Sequence, residues 1–507
     1  MNLPRVRVAA VWTISAWPAI NYLQSNWHAV MQRGMRSIAG IVMITLAVGL
    51  LGHLLHRVAT RKGRGGFLVV AWLVAMALLF GYSTISQLSE FLWERYELRI
   101  PAMVAWIGLV LMIAGVVVYF RKSEKLQAAA MTFGVVAGGT SVALLLMAMV
   151  TYRPVHDEHA AEEAAFVAKP ARLPGLNVYY IILDAYAGQQ ALKETTGFDN
   201  SGFIVRMAAR GFQEASTGKS NYLRTIHTLG GIFALDYPQT DDPKSWKNSR
   251  GLYPDLFDSQ RSPELIQRMN AAGYAAWHSA TVWGGCAHRH LNCLGAPLLL
   301  EPDYMTQTFL APTPFGRPLM MLVGEQDNAF RSITSRLPTL LSTQMPFFVF
   351  AHHMAPHPPF MQDENCLPRN VAADNWNGWD KGQEQAYVNS IKCVNAQVER
   401  LVDVIVRMNP NALIVLQGDH GSAFSVEWEK PLAKWSATSI RERGSFLNLI
   451  RAPVDCKRWL DQPLGQIYSA RFVVACVEGR APVYLPERTY IATYSNGREK
   501  GALRLAP

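Results

Sequence analysis

The sequence has 507 residues, half of them hydrophobic, and a formal net charge of +10. The positive charge is concentrated at the start, because residues 1–150 hold 13 Lys and Arg against 4 Asp and Glu. The remainder is nearly neutral, which excludes a broad basic surface for nucleic acid on the larger part of the chain. The length accommodates a membrane region followed by one large catalytic domain.

Five apolar stretches in the first 150 residues indicate a transmembrane region. Four of them, at residues 37–55, 66–88, 101–120 and 126–150, are close to the roughly 20 residues that cross a bilayer. The first, at residues 6–23, is weaker because it contains charged and helix-breaking residues, so it either spans the membrane or lies in its interface. No small-residue cleavage site follows it, which disfavours a removable signal peptide. We therefore predict about five transmembrane helices within residues 1–151.

The loops between these stretches predict their orientation. Basic residues cluster at 57–64 and at 121–125, whereas the intervening loop at 90–99 mixes acidic and basic side chains. Since cytoplasmic loops carry the excess of Lys and Arg, both basic loops are predicted inside. Everything after Thr151 is then extracytoplasmic, and a bacterial inner-membrane protein with a periplasmic domain is expected.

All six cysteines lie in the predicted extracytoplasmic part. An even number in an oxidising compartment favours disulfides, with neighbours in sequence as the natural pairs. A zinc site is the alternative for the first pair, because two histidines stand between the two cysteines at close spacing. The residues concerned are Cys286, His288, His290 and Cys293, and the remaining cysteines are Cys366, Cys393, Cys456 and Cys476.

Residues 152–175 have the polar, proline-containing composition of a linker. After it, apolar runs typical of buried strands alternate with amphipathic segments. Strands are predicted at 177–183, 274–278, 347–352 and 412–417, and helices at 202–210, from about 225, at 263–272 and at 383–408. This alternation predicts a doubly wound α/β sheet over residues 176–507.

Three of the predicted strands end in polar residues, at Asp184, at His352-His353 and at Asp419-His420. Ligands bind at the carboxyl ends of strands in open α/β sheets. Carboxylates and an imidazole at one sheet edge can therefore hold a divalent metal. Each residue taken alone also fits a helix cap or a hydrogen-bonded turn.

Four motifs, in this order and spacing, resemble the alkaline phosphatase/sulfatase superfamily. They are Asn177-Val-Tyr-Tyr-Ile-Ile-Leu-Asp184, Thr225-Ile-His-Thr228-Leu, His352-His-Met-Ala-Pro-His357-Pro-Pro and Gly418-Asp-His-Gly421. The resemblance is greatest to the membrane-anchored branch that includes lipid A phosphoethanolamine transferases and lipoteichoic-acid synthase. It implies an alkaline-phosphatase-like α/β/α domain behind five membrane helices.

The resemblance also implies roles for individual residues. Thr225 corresponds to the nucleophile. Its alternative role is to cap the N-terminus of a helix, and Ser220 and Asn221 are the other candidates for that cap. Asp184, Asp419 and His420, with Thr225, correspond to the metal ligands. His357 corresponds to a residue that binds substrate or a second metal, and His353 is expected to be structural. Weaker correspondences to substrate-contacting residues involve His352, His278 and Trp283.

Departures from the superfamily narrow these expectations. No histidine follows His420, which favours one tightly held ion, zinc or manganese, over two. The cysteine or serine motif that sulfatases convert to formylglycine is also absent, and a threonine cannot undergo that conversion. This second departure favours phosphorus over sulfur as the reacting centre.

The resulting hypothesis is an envelope enzyme that transfers a phosphorus-containing headgroup, of phosphoethanolamine or phosphoglycerol type. The donor is a membrane lipid, the acceptor an envelope glycan or lipid, and the intermediate a phospho-threonine. A phosphomonoesterase, phosphodiesterase or sulfatase-like hydrolase is the first alternative. A non-catalytic envelope scaffold is the second.

Overall fold

A computed structural model of the protein divides into two compact units. The first comprises Met1–Ala161 and Leu300–Glu325, and the second Glu162–Leu299 and Gln326–Pro507. The structure describes residues 3–27, 30, 38–82, 84–85, 88, 102–151, 176–240, 242, 245, 252–253, 255–258, 261–279, 290–294, 306, 309–310, 312–316, 329–343, 345–360, 362–367, 379–380, 382–427, 434–495 and 498–505.

The first unit contains a helix at each of the five predicted apolar stretches. The helices are α1 (Leu3–Ser25), α2 (Ala39–Arg61), α3 (Gly65–Phe80), α4 (Ala102–Tyr119) and α5 (Glu124–Thr151). Within the described residues, Ala39–Arg61 and Glu124–Val150 are long and apolar enough to cross a membrane. The membrane-spanning role of α1, α3 and α4 stays a prediction.

Apolar side chains of this unit both pack inward and point outward. Val11, Ile14 and Val69 belong to a buried cluster, whereas Met43 and Leu111 are two-thirds exposed. Exposed apolar surface of this extent is typical of a face that contacts lipid.

The segment at residues 300–325 belongs to the first unit although it is distant in sequence. The ring of Phe309 lies 5.5 Å from that of Tyr22 and 5.2 Å from that of Phe80, measured between centroids. Thr306 adjoins the start of α2, where a Cβ atom on Gly40 would lie 2.3 Å from the Thr306 hydroxyl. Phe309 and Thr306 therefore pack on α1, α2 and α3.

The second unit is built around a seven-stranded sheet of order β2-β7-β6-β1-β5-β3-β4. Its strands are β1 (Val178–Leu183), β2 (Gln213–Glu214), β3 (Ala275–Ser279), β4 (Asn292–Cys293), β5 (Phe347–His353), β6 (Leu413–Gly418) and β7 (Asn448–Arg451). The central strand β1 runs parallel to both β5 and β6, whereas β7 is antiparallel to β6. A separate hairpin pairs β8 (Thr489–Ser495) with β9 (Arg498–Leu505).

Helices cover both faces of this sheet. They are α6 (Gln189–Thr196), α7 (Ser201–Ala209), α8 (Thr225–Ala234), α9 (Glu264–Ala271), α10 (Ala329–Ser342), α11 (Glu384–Met408), α12 (Ala437–Gly444), α13 (Val454–Lys457) and α14 (Gln466–Glu478). A short 3₁₀ helix occupies Asp255–Asp258.

Alternate residues of β1 enter two separate cores. Tyr180 and Ile182 join α8, α9 and α14 in one, while Tyr179 and Ile181 join α7, α10 and α11 in the other. Successive side chains of a strand point to opposite faces, so a strand covered on both faces is apolar throughout. The predicted doubly wound α/β fold is confirmed.

Disulfides link Cys366 to Cys393 and Cys456 to Cys476, as the sequence-neighbour pairing predicts. Cys293 is also disulfide-bonded, which removes its thiolate as a zinc ligand. Cys286 and His288 lie outside the described residues.

Candidate active site and metal centre

Strand register brings two carboxylates to one sheet edge. Leu183, the last residue of β1, pairs with His353 of β5 on one side and with Gly418 of β6 on the other. Asp184 and Asp419 therefore leave neighbouring parallel strands at the same level. The amide of Asp184 donates to the His353 carbonyl over 2.9 Å, which extends the strand pairing by one residue.

The two glycines around Asp419-His420 serve close backbone packing. A Cβ atom on Gly418 would lie 2.4 Å from the Tyr186 carbonyl, and one on Gly421 would lie 2.0 Å from the Glu442 carbonyl. Neither distance is available to a side chain, so the turn can approach its neighbours only with glycine at both positions.

One oxygen of Asp419 is fixed by backbone donors. Its Oδ1 accepts from the amides of Ala185 at 2.8 Å and of His420 at 3.0 Å. Its Oδ2 faces the imidazole of His420, with 3.2 Å between Oδ2 and Nε2. The carboxylate is thereby held with one oxygen directed into the cluster.

The contacts of His420 determine which nitrogen carries its proton. Nδ1 lies 3.0 Å from the Gly421 carbonyl, which can only accept, so Nδ1 is the donor. Nε2 consequently presents a lone pair, and Arg443 donates to it from Nη2 over 3.0 Å. The imidazole is neutral because burial, and then Arg443, hold the pKa of His420 well below its usual range.

Thr225 is the first residue of α8, and its hydroxyl lies 3.1 Å from Nε2 of His420. The preceding residue, Arg224, occupies the cap position without a side-chain cap. The Thr225 hydroxyl is therefore directed to the cluster and is no cap. The positive end of the helix dipole favours developing negative charge at that oxygen.

His352 lies behind Asp184. Its Nε2 is 3.0 Å from Oδ2 of Asp184, and its Nδ1 is 3.3 Å from the hydroxyl of Tyr253. His352 is 1% exposed, and these contacts suit a residue that orients Asp184. Its predicted contact with a substrate stays a prediction.

Two buried carboxylate oxygens test whether a metal fits this cluster. Oδ1 of Asp184 and Oδ2 of Asp419 have no hydrogen-bond partner among the described residues. Each lies close to the lone pair of Nε2 in His420, at 3.9 and 3.2 Å. Buried acceptors are rarely left unpaired, and three converging acceptors are stabilised by a cation.

The chemistry of this donor set suits a divalent metal. One ligand atom from each of Asp184, Asp419 and His420 lies within 4.8 Å of the others, and all three residues are buried. Carboxylate oxygens with one imidazole nitrogen are compatible with both zinc and manganese. The residues present therefore fit a divalent metal, with Thr225 at its edge.

The two carboxyl groups ionise unequally without a cation. Burial, and then the charge of Asp184, raise the pKa of Asp419 to about 7. Burial also acts to raise the pKa of Asp184, but neighbouring histidines, His357 first, outweigh it and hold that pKa below its usual range. Like charges at such close range disfavour double ionisation.

His357 lies at the rim of the cluster. Its ring centroid is 6.4 Å from that of His420, and its side chain is half-buried. Nδ1 donates to the Pro358 carbonyl over 2.7 Å, so Nε2 carries the lone pair when the imidazole is neutral. The ring of Trp379 stands edge-on to His357 at 5.8 Å and walls this side of the site.

The remaining predicted histidines lie elsewhere. His353 is stacked on Phe330 at 4.3 Å, and burial lowers its pKa to about 4, which fits its predicted structural role. His278 is fully buried against the rings of Phe257 and Phe350. Its substrate role stays a prediction, and Trp283 lies outside the described residues.

Sequence reasoning missed Arg443 on α12. Its Nε donates to the Leu223 carbonyl and its Nη1 to the Gly421 carbonyl, each over 3.0 Å. With the bond to His420, the guanidinium connects the loop before Thr225 to the turn at residues 418–421. The preceding residue, Glu442, accepts from the amides of Phe424 at 2.7 Å and Ser425 at 2.8 Å, which fixes the chain after His420.

Several solved structures are similar to this chain at low identity. Lipooligosaccharide phosphoethanolamine transferase EptA from Neisseria meningitidis is 13% identical, with 93% of this chain and 95% of that chain covered and a TM-score of 0.42. The periplasmic domain of EcEptC from Escherichia coli is 13% identical, with coverages of 66% and 96% and a TM-score of 0.41. The lipoteichoic acid synthase LtaP from Listeria monocytogenes is 9% identical, with coverages of 63% and 78% and a TM-score of 0.37. At such identities these likenesses assign no activity.

A family model gives a more direct result. No curated protein matches the chain. Residues 303–443, which include β5, α11, β6 and the metal-ligand turn, match the model described as Sulfatase. This stretch of the chain is therefore similar to the sulfatase family.

Proposed function

We propose that this protein is a metal-dependent envelope enzyme that transfers a phosphorus-containing headgroup from a membrane lipid to a glycan or lipid acceptor. One observation carries the proposal: a threonine hydroxyl at a helix N-terminus lies 3.1 Å from His420 Nε2. Beside it, Asp184 and Asp419 each present a buried carboxylate oxygen without a hydrogen-bond partner among the described residues. Of the four side chains, Thr225 is the most exposed, at 5%.

The reaction balances as two displacements at phosphorus. Oγ1 of Thr225 attacks the donor phosphodiester, a P–O bond to diacylglycerol breaks, and the threonine proton ends on the released glycerol oxygen. An acceptor hydroxyl then attacks the same phosphorus, the bond to Oγ1 breaks, and Thr225 recovers a proton. Covalent catalysis of this kind divides one difficult step into two easier ones.

Each neighbour of Thr225 has a distinct part in this scheme. A divalent cation, when held by Asp184, Asp419 and His420, lowers the pKa of the threonine hydroxyl and neutralises charge on the phosphoryl oxygens. His357, whose Nε2 carries the lone pair when the imidazole is neutral, accepts and returns the proton exchanged with the leaving and entering oxygens.

The lipid donor follows from the placement of the catalytic domain. Residues 1–151 form the membrane region, 152–175 a linker, and 176–507 an extracytoplasmic domain. Phe309 packs on Tyr22 and Phe80 within the first unit. The end of α3 at Phe80 lies opposite the basic loop at 57–64 that precedes α3, and this loop is predicted to be cytoplasmic.

A reporter fusion tests the topology. We expect alkaline phosphatase fused after Thr151 to be active and a cytoplasmic reporter at the same position to be inactive, because the basic loops orient the preceding helix outward. Fusions within the basic loop at 121–125 serve as the matched control and should give the reverse result. Activity of only the cytoplasmic reporter after Thr151 would refute an extracytoplasmic catalytic domain.

A donor assay tests the reaction itself. We expect the purified full-length protein, loaded with zinc or manganese, to release diacylglycerol from vesicles of phosphatidylethanolamine or phosphatidylglycerol. Chelation should stop the release. Mass spectrometry of added glycan or lipid acceptors should show the headgroup's mass. Headgroup release to water alone would indicate a hydrolase, and hydrolysis of sulfate esters without lipid cleavage would overturn phosphorus as the reacting centre.

A further inference from the structure

The helical unit contains a group of basic side chains at the end that carries the basic loops at 57–64 and 121–125. His56 is 3% exposed and lies on α2, which is long and apolar enough to cross a membrane. Its Nε2 is buried without a hydrogen-bond partner among the residues that the structure describes, as are Nε of Arg7 and Nδ1 of His53. Buried polar atoms on membrane helices are costly without a partner, so these three atoms indicate a ligand.

Two glycines at the start of α3 bring these side chains together. A Cβ atom on Gly65 would lie 3.3 Å from Nε2 of His56. A Cβ atom on Gly66 would lie 3.2 Å from Nη2 of Arg7 and would overlap Oε1 of Gln127. Side chains of α1, α2 and α5 therefore converge on the backbone at the first two residues of α3, which glycine alone leaves this accessible.

The backbone at this point supplies further donors. No side chain caps α3, since Arg64 at the cap position makes no cap hydrogen bond. The first amides of a helix have no acceptor within the helix, and the dipole makes this end positive. Phosphate groups bind at helix N-termini through such amides, and a guanidinium adds strong charge-assisted hydrogen bonds. The donor set at the start of α3 therefore suits a phosphate.

The charge at this end of the unit is unbalanced. Residues 1–10, 57–64 and 121–125 together contain nine Lys and Arg but one acidic residue, Glu124. The sequence therefore provides little negative charge for Arg7 in these segments. An external anion is favoured as its partner.

The surface beside the cluster favours a lipid over a free ion. Leu54, Leu55 and Val58 lie on α2 next to His53 and His56, and they are 49%, 43% and 52% exposed. Such an apolar surface suits acyl chains, while the basic cluster suits the headgroup phosphate. Basic pockets between transmembrane helices bind anionic headgroups in this way.

We propose that Arg7, His53, His56 and the start of α3 form a binding site for the phosphate of an anionic phospholipid. Arg7, the first amides of α3 and an imidazole N–H donate to the phosphate oxygens. The acyl chains lie against the exposed apolar face of α2. The lipid thereby links α1, α2 and α3 in the leaflet next to the basic loops. The site is built from the helical unit alone and does not rest on the proposed transfer reaction.

Native mass spectrometry of the detergent-solubilised full-length protein tests this site. Phosphatidylglycerol or phosphatidylcholine is titrated with chelator present, so that no metal-dependent turnover occurs. We expect phosphatidylglycerol to bind wild type at least about tenfold more tightly, because its headgroup carries a net negative charge. An excess of inorganic phosphate should not displace it, because the free ion lacks acyl chains.

Variants assign the binding to this cluster. Arg7→Gln and His56→Phe should each weaken phosphatidylglycerol binding, the first by at least about tenfold, since it removes a charged donor. Arg121→Gln removes the same charge from an exposed position at the same end and should leave the affinity within about twofold of wild type. Phosphatidylglycerol bound as a donor near Thr225 contributes equally to wild type and Arg7→Gln, so their difference reports this site.

Three results would overturn the proposal. Equal losses in Arg7→Gln and Arg121→Gln would indicate a general attraction to the basic surface without a defined site. Wild-type affinity in both Arg7→Gln and His56→Phe would exclude the cluster. Equal binding of the two lipids, or displacement by inorganic phosphate, would exclude an anionic phospholipid as the ligand. If Arg7→Gln does not fold, His56→Phe carries the test.

Discussion

Thr225→Ala should abolish turnover, and with it the covalent adduct that we expect on the wild-type enzyme. The hydroxyl lies 3.1 Å from His420 Nε2, and no second hydroxyl is placed there by α8, because that of Thr228 donates to the Tyr222 carbonyl over 3.0 Å. Loss of a nucleophile removes the intermediate and commonly reduces turnover by several orders of magnitude. Intact-protein mass after incubation with phospholipid vesicles is the direct measurement.

Companion variants separate chemistry from folding. Thr225→Ser keeps the hydroxyl and should keep part of the activity and a headgroup adduct. Thr228→Val removes a buried hydroxyl from the same helix and should cost about 1 kcal/mol of stability while retaining the adduct. Full activity in Thr225→Ala, or an adduct that maps to another residue in wild type, would show that the nucleophile has been assigned wrongly.

The positions of Asp184 and Asp419 could be predicted because a strand buried on both faces is recognisable in the sequence as a continuous apolar run. The apolar run at 177–183 became β1 at Val178–Leu183, and the run at 412–417 became β6 at Leu413–Gly418. A polar residue directly after such a run must lie at the carboxyl edge of the sheet. Asp184 and Asp419 are adjacent because β1 and β6 are neighbours in the sheet. The pairing of these two strands was expected from the family resemblance, since neither apolar run by itself predicts its neighbour.

Other parts of the site depend on tertiary packing that local sequence does not encode. Arg443 lies on the polar helix Ala437–Gly444, where Arg441 is exposed and Arg443 is buried. Nothing in the local sequence distinguishes these two arginines; only the packing of Leu223, in the loop before Thr225, against this helix does. His352 and His353 are similarly ambiguous, since strand alternation predicts opposite faces without saying which face adjoins Asp184.

Asp419→Asn should lose the metal while keeping the fold. The amide has the shape of the carboxylate, and its oxygen can still accept from the amides of Ala185 and His420. Its nitrogen would donate to His420 Nε2 across the 3.2 Å contact and occupy the lone pair that a metal needs. We expect affinity for zinc or manganese to fall more than about 100-fold, since even outer partners of metal ligands contribute about 10–100-fold.

Metal content after dialysis measures this loss directly. Asp403→Asn, which removes a surface carboxylate paired with Arg210 at 2.7 Å, is the matched control and should retain the wild-type stoichiometry. Wild-type metal content in Asp419→Asn would exclude Asp419 from the metal site.

The same carboxyl predicts how metal affinity depends on pH. Burial and Asp184 raise the pKa of Asp419 to about 7, so below that pH a metal must displace a proton. Wild-type affinity should therefore decrease up to about tenfold per pH unit below 7 and level off above it. Competition titrations between pH 6 and 8 measure the slope, and Asp419→Asn should lack this component. A wild-type affinity that is flat between pH 6 and 7 would contradict the assignment.

The raised pKa of Asp419 also predicts how the stability of the metal-free protein depends on pH. Because its pKa rises from 3.8 to about 7 on folding, the folded protein binds more protons than the unfolded chain within that range. The contribution of this group to stability is therefore lost as pH rises through 7. At pH 8 with chelator, Asp419→Asn should be at least as stable as wild type in thermal unfolding. Zinc at 100 times its Kd should stabilise wild type alone, by about 2.7 kcal/mol. If Asp419→Asn is less stable than wild type in the presence of chelator, the Asp419 carboxylate stabilises the folded protein without a metal.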